Sequence, residues 1–168
     1  MVGDSRNWQS GRGGLFIDNA LASFQRYLCP SNKVVGEAPP SHGALPVAPD
    51  GDHFVLPLPD PEAFWVGILL PKDWDHRELH FSAMHVDGKR LVSERFTRPG
   101  MFVVTGIKRP DGQSKVFCAE SVSELFLTCA GEIARVVVCD PRTFVARTGQ
   151  APPETFDPNA TFVGWMLP

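Results

Sequence analysis

The chain has 168 residues, of which 43% are hydrophobic and 21% charged, with a formal net charge of −3. That length suffices for one domain with its own core and no metal or disulfide staple, and that composition excludes an intrinsically disordered chain. The acidic balance argues against a protein that works mainly by gripping a phosphate backbone, while leaving room for a local basic patch.

The longest strongly apolar stretch, residues 63–70, is far too short to cross a bilayer as a helix. The opening Met1-Val2-Gly3-Asp4 lacks a basic region followed by an apolar one, so neither a signal peptide nor a membrane partner is expected. Cys29, Cys118, Cys129 and Cys139 include no Cys-x-x-Cys pair. They read as buried free thiols of a cytoplasmic or otherwise reducing compartment, with Cys118 and Cys129 the pair to watch for a disulfide.

In chain order, residues 1–14 read as an arm, glycine-rich at Gly11, Gly13 and Gly14. The rest, 15–168, reads as a single β domain. Residues 15–29 form the best helical pattern: Ile17, Leu21, Phe24 and Leu28 are spaced by 4, 3 and 4, which places them on one helical face. Asp18 near its start and Arg26 near its end suit the helix dipole, and Pro30 ends it. Half of the 16 prolines fall within 30–61. Proline lacks a backbone donor, so this stretch is expected to be an extended connection lying over the domain.

Strand patterns follow. Candidates are 53–58, the continuously apolar 64–70, and a hairpin of 79–86 with 90–96 across Asp87-Gly88. A second hairpin joins 101–108 to 115–118 through Arg109-Pro110-Asp111-Gly112, and a third pairs 124–128 with 133–139 across Ala130-Gly131. Residues 162–167 form a candidate closing strand. Turn signals about every ten residues predict a mostly β protein, an antiparallel β-sandwich or jelly roll with one N-terminal amphipathic helix.

Three groups of residues carry chemistry. The first is catalytic: His80 and Ser82 share a strand face, with an acid from Asp75, Asp73 or Asp140. No Gly-x-Ser-x-Gly elbow accompanies them. The second is a metal pair, His76 with His80 across a loop-to-strand junction. No cofactor is implied, since phosphate-binding and dinucleotide-binding glycine patterns are absent. The third is basic. Residues 89–115 hold seven bases against two acids. Lys89-Arg90 and Lys108-Arg109 flank two hairpin turns; on one end of the domain they would make a ligand-binding rim.

The expected function is therefore a non-catalytic binding or assembly domain, a structural subunit with a protein partner or a second copy of itself. The alternatives are a small hydrolase or metal-dependent enzyme centred on His76, His80 and Ser82, and a domain that binds RNA or another acidic polymer through the basic tips.

Overall fold

The computed structural model describes residues 8–11, 13–85, 87–157 and 159. Fourteen strands and one helix follow in order: β1 (Trp8–Gly11), β2 (Gly14–Ile17), β3 (Ala20–Leu28), β4 (Val34–Val35), β5 (Ala48–Asp50), β6 (His53–Pro57), β7 (Glu62–Leu70), β8 (Leu79–Met84), β9 (Arg90–Phe96), β10 (Gly100–Val104), β11 (Gly106–Lys108), β12 (Ser114–Val116), β13 (Glu124–Cys129), β14 (Glu132–Cys139) and α1 (Pro141–Thr148). They form a five-stranded sheet β1-β2-β3-β7-β10, a six-stranded sheet β5-β6-β14-β13-β8-β9 and a three-stranded sheet β11-β12-β4. Every pairing is antiparallel except β6 with β14. The candidate strand 162–167 lies outside the described residues, as do residues 1–7 and 12 of the glycine-rich arm.

The helix expected over 15–29 is not formed. Those residues make the β2–β3 hairpin, closed by the two-residue turn Asp18-Asn19 with Asp18 at φ 52°. A positive φ at a turn position is one that aspartate tolerates better than most residues. The helical stripe was deceptive because β3 is covered on both faces, so its polar–apolar alternation is lost. Ala20, Ala22 and Phe24 enter the main core, while Leu21, Ser23, Gln25 and Tyr27 are buried on the other face. Residues of the proline-rich connection supply part of that second cover: Trp65 Nε1 donates to the Pro39 carbonyl at 2.9 Å, and the Ser41 hydroxyl donates to Gln25. Leu28, a member of the expected buried stripe, is 48% exposed.

Among the described residues the one helix is α1. Asp140 caps it, accepting from the Thr143 amide at 2.9 Å; Pro141 opens it and Gly149 closes it in the left-handed region. Those bonds to Thr143 hold the Asp140 carboxyl below its usual range. Proline at the first helical position and glycine just past the last is the usual asymmetry of helix ends.

A single buried cluster takes side chains from both large sheets, including Phe24, Phe64 and Ile68 from one and Phe81, Leu125 and Val136 from the other. A smaller cluster around Tyr27, Trp65 and Cys118 sits on the opposite face of the five-stranded sheet. All four cysteines are free; Cys118 belongs to the small cluster and Cys129 to the large one. Burial, then the neighbouring Asp140, pushes the Cys139 thiol up to about 11, so it is poorly ionised near neutral pH. Among the described residues no helix is long and apolar enough to cross a membrane.

Candidate docking cleft between two sheet edges

The hairpin tips form as their turn residues dictate. In the first, the Gly88 amide donates to the His85 carbonyl at 2.9 Å and the His85 amide to the Lys89 carbonyl at 2.8 Å, with Gly88 at φ 88°. In the second, the Arg109 amide donates to the Gln113 carbonyl at 2.8 Å and Gly112 stands at φ 88°. Glycine adopts this backbone without steric cost.

Between them the chain passes from β9, the edge of the six-stranded sheet, to β10, the edge of the five-stranded one. Each of these strands is paired on one side only. A cleft of about 410 Å³ separates them, bounded by Leu91 to Phe96 on one wall and Val103 to Lys108 on the other. Its size falls within the range of roughly 300–1,000 Å³ found for ligand sites. Phe96 lines it, and the Phe96 ring lies 5.0 Å from that of Phe102. Of the four basic residues expected at the hairpin tips, Lys108 lines the cleft, and Lys89-Arg90 directly precede its Leu91 wall in sequence. At Gly106 a Cβ would stand 2.2 Å from the Lys115 carbonyl oxygen, so glycine there lets β11 and β12 approach this closely.

The charge of the basic stretch 89–115 is only partly neutralised. Arg109 pairs with Asp111 at 3.2 Å and Arg95 with Glu78 at 3.3 Å. Among the described residues no carboxylate lies within 4 Å of Lys89, Arg90, Arg98, Lys108 or Lys115. Beside the cleft, Met101 is 54% and Val103 47% exposed.

The remaining candidates are dispersed. Leu79, Phe81 and Ala83 enter the core, so His80 and Ser82 share the opposite face of β8, and Ser82 is buried there. The His80 ring does not bond to Ser82; its Nε2 lies 2.7 Å from the Ser93 hydroxyl on β9. Register explains this, because Ser93 stands opposite Ser82 and diagonal to His80. A serine–histidine pair becomes a nucleophile only when a third group orients the ring. Asp75 is bound to Arg77 at 2.8 Å, which holds its carboxyl below the usual range, and Arg77 also reaches Asp18 at 2.6 Å. Asp140 is occupied as the helix cap. His76 stands exposed in its loop at φ 67°. Among the described residues no three His, Cys, Asp or Glu side chains are placed to hold a metal ion.

Burial, then the Arg95 guanidinium, holds the His80 pKa below its ordinary value. The unfolded chain therefore takes up this proton first, and stability falls as pH drops from the unfolded pKa towards the folded one. His80→Gln is expected to shrink the change in urea midpoint between about pH 7.5 and pH 5.5, which bracket the ordinary imidazole pKa of about 6.5. An unchanged difference would show that the fold does not disfavour the charged ring.

No family model matches the chain, and no curated protein or solved structure is significantly similar to it.

Proposed function

We propose that this protein is a non-catalytic binding or assembly domain: a β-sandwich of the two large sheets whose open side, between β9 and β10, receives an extended segment of a protein partner. The observation that carries the reading is the exposed edge of β10. Its residues Gly-Met-Phe-Val-Val carry no charge and no proline, and two of its apolar side chains stand in solvent beside the cleft. Natural sheet edges are blunted by charge, proline or a covering element, because bare ones template pairing with other chains. β9 follows that rule with Arg90, Glu94 and Arg95, whereas β10 does not. An unblunted edge beside a cleft of ligand size is therefore read as a seat for a partner strand, which adds through main-chain hydrogen bonds. The enzymatic alternative loses support because two of the three acids suggested for it, Asp75 and Asp140, are engaged elsewhere.

A photo-crosslinking residue at Val103, introduced in the native host, is expected to give a discrete protein adduct. The same residue at Val145, exposed on α1, is expected to give none. Equal adduct patterns at both positions, or no adduct at Val103, would overturn the reading.

A further inference from the structure

We infer that the occupant of this cleft is an extended peptide segment with a short apolar, alternating centre and acidic residues at both ends. This inference rests on the docking reading above and adds the chemistry of the partner.

The centre is set by β10. Side chains alternate across a strand, so Met101 and Val103 share the outer face, while Phe102 and Val104 pack inward. A strand added along this edge would lay every second side chain beside Met101 and Val103, where apolar β-branched residues pack well.

The ends are set by charge. Arg98 precedes β10 and Lys108 ends β11; both are exposed and lack an ion-pair partner among the described residues. A second copy of the chain is a poor occupant for that reason. Two copies meeting along β10 would bring two sets of these unpaired cations together. Like charges directly opposite destabilise a strand pair. Carboxylates in the same places would relieve both cations. RNA is also disfavoured. Single-stranded nucleic acid is gripped on aromatic platforms, and the exposed large apolar side chains here (Leu28, Met101, Val103, Ile133 and Val145) include no aromatic ring.

The test uses the full chain and dye-labelled peptides of alternating valine and threonine, ending at both sides in Glu-Glu or in Lys-Lys. Fluorescence anisotropy is expected to show the acidic peptide binding at least tenfold more tightly than the basic one, with the preference reduced by salt. Arg98→Glu with Lys108→Glu, both at exposed positions, is expected to reverse the preference, and circular dichroism checks that the variant is folded. Equal binding of both peptides, an unreversed preference, tighter binding of a polyuridine strand than of the acidic peptide, or a stable homodimer at micromolar concentration would each overturn the inference. If the peptides fail but Val103 still crosslinks a protein, the acidic occupant is wrong and the docking reading survives. If Val103 also gives no adduct, both fall.

Discussion

Replacing Glu62 by Leu is expected to destabilise the protein by about 3–5 kcal/mol, the usual result of removing one partner from a buried ion pair. Arg26 donates to both carboxylate oxygens of Glu62, from Nε at 2.7 Å and from Nη2 at 2.6 Å. Both side chains are under 10% exposed. The Phe156 ring lies 4.9 Å over the guanidinium and stacks on His42 at 4.3 Å, so it helps keep water from the charge. Without Glu62 the guanidinium charge has to be buried alone or drag the surrounding structure open. The pair itself stabilises far less than its rupture costs, because desolvating two ions offsets most of their attraction. The double change Arg26→Met with Glu62→Leu should therefore recover most of the loss. Urea unfolding of the parent, both single variants and the double variant measures this as a cycle. A loss below about 1 kcal/mol for Glu62→Leu would mean the pair behaves as a surface bridge.

The same residue shows where sequence reading failed. Within a helical 15–29, Arg26 is a surface base near a C-terminus. Within β3 it stands opposite Phe64, on the core-facing side of the strand. The misreading arose from local pattern alone: a strand buried on both faces has no period of two, and accidental spacings of 3 and 4 then look helical. Proline-rich cover over one face is a tertiary fact that no window of sequence contains. The helix that does form was missed for the opposite reason. Asp140, Pro141 and Gly149 are good end signals, but only Phe144 of its eight residues is buried, so no apolar stripe existed to read.

The hairpin turns were legible because they are local chemistry; the second hairpin, expected between 101–108 and 115–118, forms only between 106–108 and 114–116, since residues 101–104 pair with β7 instead. Asp87-Gly88, Asp111-Gly112 and Ala130-Gly131 fix the reversal of the chain wherever the strands later pack. The basic tips came with them, since they flank those turns in sequence. The cleft did not. It exists because β9 and β10, only three residues apart, join different sheets, and strand order across sheets depends on contacts between distant segments. The His80–Ser82 pairing shows the same limit at smaller scale. The shared face was readable from alternation, but the diagonal neighbour Ser93, which accepts or donates the actual hydrogen bond, follows only from the register with β9.

Phe64→Ala is the second large effect expected, a loss of about 3–5 kcal/mol, in the range for truncating a fully buried phenylalanine. Phe64 has no solvent exposure, and its position is fixed by pairing on both sides: it lies opposite Arg26 on β3 and bridges to Phe117. Its ring meets Phe24 edge-on at 5.9 Å and stacks on Phe117 at 5.4 Å; Phe117 in turn meets Phe81 at 6.2 Å. This row of rings carries contact from the five-stranded sheet to the six-stranded one. Removing Phe64 therefore deletes apolar area and also leaves a void that two β-sheets, each stiffened by its own ladders, close poorly. Phe64→Leu keeps most of the volume and should cost less than half as much, because cavity size governs the penalty. Denaturant midpoints at constant m-value distinguish the two variants. Equal losses for Ala and Leu would show that the ring geometry, and not the filled volume, holds the sheets together.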